Sequence, residues 1–275
     1  MPIRLLLINP HNPNLRISLI DRGAIYAHLA NIVKALPVPV NSLNSQQTEK
    51  ELIELTIESY SKYAILSHKW LRGNPGEITY DHWKKGLLDP ESAGYQKIAG
   101  FCRTAWNDYG ITLAWMDTVC INKDSSSELD ESIRSMYAWY ERAEMCIVYL
   151  SETQHITQIP YDTWFTRGWT LQELLAPKVL KFYNLKWIQL SQDRNDKMNS
   201  NILQLIEQAT TISSSEMRFM ITYSLSRRMQ WAASCEVMRE EDMAYSLMGI
   251  FNVSIPIAYG EGADRAFLRL LEEIM

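Results

Sequence analysis

Polar side chains that can bind or transform a ligand follow three apolar segments of this 275-residue sequence. The first group follows the apolar run 63–66, the second follows 112–116, and the third comes after Leu150. In parallel α/β sheets, ligands bind beyond the carboxyl ends of the strands, where such loops meet. The candidate site residues are Ser67, His68, Lys69, Trp70, Asp117, Arg167, Trp169 and Glu173.

Each candidate also has a purely structural interpretation when it is taken alone. Ser67 and Asp117 are residue types that cap helices. The rings of Trp70 and Trp169 are typical of cores, and Glu173 is typical of a solvated helix face. The residue types by themselves leave both alternatives open.

Motifs that identify common enzymes are absent. The sequence has no Walker A loop, H-E-x-x-H, G-x-S-x-G or EF-hand loop, and its four cysteines form no C-x-x-C pair. We therefore expect no metal site, redox motif or disulfide framework. A hydrolase built from Cys120 or Cys102 with His68 stays open, because such pairs meet only in space.

The charge balance argues against nucleic-acid binding. With 27 Lys and Arg against 32 Asp and Glu, the formal net charge is −5, so no overall positive field attracts phosphate backbones. The longest apolar runs are far shorter than the roughly 20 residues that span a bilayer. The sequence also lacks a secretory signal pattern. We expect a cytoplasmic protein with neither a nucleic-acid nor a membrane partner.

Alternating strand and helix patterns must position the candidate residues. The apolar runs 63–67, 112–116 and 145–150 are typical of strands buried on both faces. Between them, 94–108 and 125–143 space their apolar residues as helices do. Strands and helices alternating at these lengths predict right-handed βαβ crossovers, and hence a parallel sheet with helices on both faces.

The segment 125–143 carries the most detailed helix pattern. Ser125-x-x-Glu128 has the form of a capping box. The helical spacing predicts one buried stripe and an exposed face. The stripe is Leu129, Ile133, Met136 and Tyr140, and the exposed residues are Asp130, Arg134 and Glu141.

Flanking segments complete one α/β domain in which residues 1–60 are an N-terminal extension, 61–190 the core and 191–275 a helical C-terminal part. The extension is predicted to hold a strand at 4–8, a loop, and two helices, at 23–35 and 48–60. After the core strands come a short helix ended by Pro177, strands at 179–183 and 186–190, and helices near 199–209, 224–234, 240–250 and 262–274.

Five segments, taken in order, resemble the successive motifs of the fungal heterokaryon incompatibility (HET) domain. They are 63–70 (YAILSHKW), 94–98 (GYQKI), 115–123 (WMDTVCINK), 126–140 (from SSEL to SMYAWY) and 164–177 (WFTRGWTLQELLAP). Departures from the family pattern are Leu71, Val119 and Asn122, where the family usually has Gly, Cys and Asp. These differences leave the resemblance intact but put any role of the second loop in question.

The resemblance implies a fungal self/non-self recognition module whose activation leads to growth arrest or cell death, with a receptor or partner domain of the incompatibility system. It also implies a fold similar to the Toll/interleukin-1 receptor (TIR) domain, a flavodoxin-like sheet with a C-terminal helical extension. In NAD-cleaving TIR domains, a W-x-x-x-E motif carries the catalytic carboxylate. That motif falls here on Trp169 and Glu173.

Two functions follow from this resemblance. In the first, the chain cleaves the nicotinamide–ribose bond of NAD, with Glu173 as the catalytic carboxylate and the other candidates as substrate-binding residues; NAD is then substrate, and no cofactor is needed. In the second, a TIR-like module signals by self-assembly without chemistry. In both cases we expect self-association. The discriminating feature is whether Glu173 opens into a cleft with Ser67 and Trp70.

Overall fold

A six-stranded sheet in the order β2-β1-β4-β3-β5-β6 forms the centre of the molecule. The structure is a computed structural model that describes residues 1–9, 15–36, 45–73, 76–218 and 223–275. Its strands are β1 (Arg4–Asn9), β2 (Arg16–Asp21), β3 (Tyr63–His68), β4 (Leu113–Trp115), β5 (Met145–Tyr149) and β6 (Leu180–Tyr183).

Helices occupy most of the remaining described chain. Up to the end of the sheet they are α1 (Arg22–Lys34), α2 (Ser45–Tyr60), α3 (Tyr80–Lys84), α4 (Ala93–Tyr109), α5 (Asp117–Cys120), α6 (Ser126–Arg142) and α7 (Gly168–Leu175). Those that follow are α8 (Ser200–Thr210), α9 (Ser214–Arg218), α10 (Leu225–Ala232), α11 (Asp242–Tyr245), α12 (Met248–Phe251) and α13 (Ala263–Ile274). Within the described residues, no helix is long and apolar enough to span a bilayer.

The predicted parallel sheet is confirmed. Strand β3 pairs in parallel with β4 on one side and with β5 on the other, and β5 pairs in parallel with β6. All six residues of β3 are buried, as expected of a strand covered on both faces. The fold is therefore α/β.

The strand order places a topological switch point between β3 and β5. From β3 the chain passes through α4 to β4 on one side, and from β4 it passes through α6 to β5 on the other side. The order β4-β3-β5-β6 is that of flavodoxin-like doubly wound sheets. In such sheets, the crevice outside the carboxyl ends of the two diverging strands is where ligands bind.

The N-terminal extension differs from its prediction by one strand. Residues 16–21, which directly follow the predicted loop, form β2, which pairs antiparallel with β1. Strand β1 in turn pairs antiparallel with β4. Strand β2 lies at the edge of the sheet with its four central residues only half-buried, so it lacks the continuous apolar run that marks the core strands.

Two predictions in the C-terminal half are wrong. Residues 186–190 form no strand, because the chain turns at Trp187, which has a φ of 60°, and makes only an isolated bridge between Tyr183 and Gln189. The helix predicted at 240–250 is divided into α11 and α12. The division brings Gly249 against α6, where an added Cβ would lie 2.1 Å from Cβ of Tyr137.

The helix predicted at 125–143 is confirmed, with a different use of its capping residues. Ser125 accepts a hydrogen bond from the backbone N–H of Glu128. The Glu128 carboxylate does not return to Ser125 but binds Arg4 and the backbone N–H of Asn122. Of the predicted stripe, Ile133, Met136 and Tyr140 are buried, whereas Leu129 is half-buried. Of the predicted exposed face, Asp130 is half-buried.

Shortening Ile133 tests the buried stripe of α6. Its side chain is only 6% exposed, so Ile133→Ala leaves a cavity beside the sheet. We expect a loss of about 2–4 kcal/mol in the free energy of unfolding, measured by urea denaturation. Glu141→Ala, an exposed position on the same helix, is the control and is expected to change little. An unchanged midpoint for Ile133→Ala would contradict this packing.

Candidate functional site

The carboxyl end of β3 brings two of the predicted loops together with α7. Ser67 and His68 are the last two residues of β3, next to the switch point. Asp117 begins α5, with one residue between it and the end of β4, and Glu173 is the sixth of the eight residues of α7. Since successive residues of a strand point to opposite faces, Ser67 and His68 reach different partners.

Glu173 is bound by Ser67. The Ser67 hydroxyl donates to Oε2 of Glu173, and the indole Nε1 of Trp164 donates to Ser67 Oγ over 2.9 Å. All three side chains are buried, and Glu173 is 9% exposed. The Ser67 oxygen accepts the indole N–H of Trp164, so the Ser67 hydroxyl proton points toward the Glu173 carboxyl. These two hydrogen bonds fix the position of the carboxyl.

Burial dominates the acidity of Glu173. It raises the pKa of the carboxyl to about 7, because the charged form is poorly solvated in this place. The hydrogen bond from Ser67 and the positive charge of Arg167 act in the opposite direction but do not outweigh burial. Near neutral pH, Glu173 therefore exists in both protonation states.

Asp117 is the centre of a second set of contacts. Its Oδ1 lies 3.1 Å from Nε2 of His68, and its Oδ2 accepts a 2.9 Å hydrogen bond from Nε1 of Trp70. Lys123 places its ammonium 3.6 Å from the same Oδ2. Burial favours the neutral acid, but the charge of Lys123 and the contacts of His68 and Arg167 outweigh it. The pKa of Asp117 is therefore well below its usual range.

Glu77 and Lys97 form a buried ion pair behind His68 that the sequence analysis did not identify. The Lys97 ammonium binds Oε1 of Glu77 and also donates to the backbone oxygen of Lys69 over 3.1 Å. His68 Nδ1 lies 3.5 Å from Oε1 of Glu77 and has no hydrogen-bond partner. His68 and Lys97 outweigh the effect of burial and lower the pKa of Glu77.

A signal for Lys97 is present in the sequence, because it is a lysine on the buried side of α4. Its neighbours Gly94, Ile98 and Phe101 along the helix are all buried. A charged residue in such a stripe indicates a buried partner. Glu77 lies in the irregular segment before α3, where no periodicity marks its position.

Three sequence-predicted site residues have positions different from those expected. Glu173, whose opening into a cleft with Ser67 and Trp70 was the discriminating feature, contacts Ser67 but is buried. Lys69 binds Glu152 over 2.6 Å and Thr163 over 2.6 Å in the surface layer. Trp169 bonds to Asp242 of α11, in the C-terminal part of the chain. Trp164, which was not among the candidates, is the tryptophan that donates its indole N–H to Ser67 beside Glu173.

The remaining predicted residues lie together. Arg167 donates from its guanidinium to the backbone oxygen of His68 over 2.7 Å, so it joins the start of α7 to the end of β3. Asp117 and Ser67 use their side chains in the site; neither is the N-cap of a helix. The alternative that treats them as caps is therefore wrong.

The Cys–His alternative receives no support from the geometry. Cys102 and Cys120 are buried, and burial raises the pKa of the Cys120 thiol to about 12. A thiol of this kind is not a ready nucleophile. Within the described residues, no group of three His, Cys, Asp or Glu side chains is arranged to hold a metal ion.

Helix α7 is short because its neighbours limit both ends. At its start, the N–H of Gly168 donates to the backbone oxygen of Glu236, and an added Cβ at 168 would lie 2.6 Å from Val237. The helix ends at Leu175, two residues before Pro177. This arrangement holds Glu173 in register with Ser67.

Glu173→Gln is expected to change how stability depends on pH. In the folded protein Glu173 keeps a proton to about pH 7 that the unfolded chain releases near 4.5, so its contribution to stability is present in acid and lost as the pH rises through 7. Relative to wild type, we expect the variant to gain about 2–3 kcal/mol of unfolding free energy from pH 5 to pH 8, measured by urea denaturation.

The control for this measurement is Glu207→Gln, which alters an exposed glutamate of α8. It reports the general effect of removing one carboxylate from the surface. If the two variants differ from wild type by the same amounts at both pH values, Glu173 does not titrate as its burial requires.

Comparison with known proteins identifies the family. Residues 63–160 match the family model described as Heterokaryon incompatibility protein (HET). An alignment of 225 residues, 77% of the chain, is 39% identical to Vegetative incompatibility protein HET-E-1 of Podospora anserina, of which the chain spans 16%. No solved structure matches the chain. The matched residues include the end of β3 and Asp117, and the chain belongs to the heterokaryon incompatibility (HET) domain family.

Proposed function

We propose that this chain is an effector domain of a fungal incompatibility system and that it hydrolyses NAD at the nicotinamide–ribose bond. Membership in the HET family supports the first half of the proposal. The second half rests on one observation: a buried carboxyl, Glu173, is fixed by Ser67 at the switch point of a flavodoxin-like sheet. We also propose that this arrangement corresponds to the catalytic site of NAD-cleaving TIR domains.

The chemistry of NAD makes one carboxylate sufficient. Ordinary glycosidases use two, because the leaving oxygen must be protonated while the oxocarbenium-like centre is stabilised. In NAD the bond between the ribose C1′ and the ring nitrogen breaks with its electron pair on nitrogen, so nicotinamide leaves neutral. Water then forms the new C1′–O bond and loses a proton, which gives ADP-ribose. No general acid is required.

Glu173 fits the role of the single carboxylate. In a site shielded from bulk solvent, its negative charge stabilises the positive charge that develops at the ribose. The nicotinamide ring is itself a cation, so its binding favours the ionised form of Glu173. Ser67 and Trp164 position the carboxyl through their hydrogen bonds and act as positioning residues.

The neighbouring side chains fit the rest of the substrate. Arg167 adds a cation beside Glu173 that suits a diphosphate. Trp70 offers an indole ring and Asp117 a carboxylate next to it. The proposal therefore keeps Ser67, His68, Trp70, Asp117 and Arg167 around the substrate, whereas Lys69 and Trp169 bind protein groups elsewhere.

Burial of Glu173 favours a second candidate function. The carboxyl is closed off from solvent in this form of the chain, and a TIR-like module that signals only by assembly has no need to open it. For the NAD hydrolase, in contrast, the site must open, and we propose that self-association opens it. The two functions differ in what happens when the charge of Glu173 is removed.

Glu173→Gln separates these two functions. The substitution keeps size and shape but removes the charge that stabilises an oxocarbenium ion. We expect nicotinamide release from NAD to fall by about 100-fold or more and toxicity in fungal cells to be lost. Glu207→Gln is the matched control. Full toxicity of a well-expressed, folded Glu173→Gln protein would favour assembly without chemistry.

The pH profile of the wild-type enzyme tests the same assignment. Because the ionised carboxylate is the active form, kcat/KM is expected to rise with pH and level off above the pKa of about 7 of Glu173 in the free protein. A rate that falls as the pH rises through 7 would contradict this role.

Self-association is tested by varying the protein concentration. If neighbouring copies open the site, nicotinamide release per chain rises with concentration, in parallel with the fraction of oligomer measured by sedimentation. A monomeric protein with constant turnover per chain would show that the site opens without a second copy.

A further inference from the structure

Lys123 places its ammonium over the indole ring of Trp70. The Nζ atom lies 3.5 Å from the ring centroid and 3.6 Å from Oδ2 of Asp117. The indole Nε1 of Trp70 donates to that same Oδ2 over 2.9 Å. The ammonium thus occupies a corner with an aromatic floor and a carboxylate wall.

The two side chains that form this corner, Trp70 and Asp117, are held in place independently of Lys123. Asp117 is bound through its other oxygen by His68, and Trp70 is bound to Asp117 by its own N–H. Lys123 belongs to the turn between α5 and α6, and its side chain is 34% exposed. The ammonium can therefore leave the corner without breaking the contacts that hold it open.

A flat organic cation fits this corner better than an ammonium. An aromatic face attracts any cation, and indole is the strongest of the aromatic side chains. The ammonium of lysine is a compact, strongly hydrated charge, whereas a delocalised planar cation is weakly hydrated and covers more of the ring. Exchange of one cation for another also keeps the half-buried Asp117 carboxylate paired with a positive charge.

We propose that Trp70 and Asp117 form the subsite for the cationic nicotinamide ring of the substrate, and that Lys123 occupies this subsite when no substrate is bound. The inference rests on the proposed function. Asp117 contacts the ring of His68, and Glu173 is bound by Ser67, the residue before His68 in β3. Arg167 donates to the backbone oxygen of His68, so the proposed ring subsite and the proposed catalytic carboxyl lie at the same strand end. Such a subsite also discriminates between the two redox forms of the dinucleotide. It favours oxidised NAD over the reduced form, because the reduced ring carries no charge.

Binding of an isolated ring tests the subsite without any reaction. The probes are 1-methylnicotinamide, a cation, and nicotinamide, the neutral ring. For Lys123→Ala we expect the Kd of 1-methylnicotinamide to fall by about tenfold, since the competing ammonium is gone, while the Kd of nicotinamide stays unchanged. Lys123→Ser is a second variant with the same expectation, in case one of them folds poorly.

The matched control is Lys62→Ala. Lys62 is also paired with a carboxylate, Glu144, at 3.3 Å, but it precedes β3 at the opposite end of the sheet. The Lys62→Ala variant is expected to bind both probes as the wild-type protein does. Unchanged or weaker binding of 1-methylnicotinamide by the Lys123 variants would overturn the proposal, and so would an equal gain for neutral nicotinamide.

Turnover of NAD separates this proposal from the proposed function. If Lys123 occupies the ring subsite, Lys123→Ala lowers the KM for NAD by about tenfold with little change in kcat. If Lys123 instead binds the substrate diphosphate, KM rises, and the proposal fails. Tighter binding of 1-methylnicotinamide without any NAD cleavage supports the cation subsite and contradicts only the NAD hydrolase.

Discussion

The hydroxyl of Ser67 donates to the buried carboxyl of Glu173 while it accepts the indole N–H of Trp164, and this chain of hydrogen bonds joins β3 to α7. The carboxyl lies where water does not solvate it, so its position depends on these few donors. The other side chains of the site are arranged around this point. Arg167, the residue directly before α7, donates from its side chain to the backbone oxygen of His68. This hydrogen bond keeps helix and strand in register.

Several charged side chains lie around Glu173, some buried and some half-buried, and they are mutually compensated. Glu77 pairs with Lys97, and Asp117 has Lys123, His68 and Trp70 as partners. Buried ion pairs contribute little to stability, and well-packed apolar residues of similar volume often do better. Stability alone therefore does not account for the charges gathered at this strand end, and in the proposed function they surround the ligand.

Elements with a strong periodic signal were predictable from the sequence, and irregular ones were not. Strand β3 and helix α6 follow from a continuous apolar run and a helical stripe. Strand β2 at the sheet edge shows neither, because its residues are half-buried. The carboxyl-end rule points to the loops that carry His68 and Asp117, which contact each other. Which tryptophan lies beside Glu173 depends on the direction in which α7 starts. That direction is set by contacts with Glu236, far along the chain.

Helix α7 is held at both ends by different parts of the molecule. Its middle is attached to the core strands through Glu173 and Ser67. Its start is attached to the C-terminal part, where the backbone of Arg167 forms a β-bridge with Glu236 and the indole of Trp169 is hydrogen-bonded to Asp242. The two attachments act on one eight-residue helix, so the position of the Glu173 carboxyl depends on the C-terminal part as well as on β3. Under the proposed function, this second attachment is the route by which self-association at the C-terminal part opens the closed site.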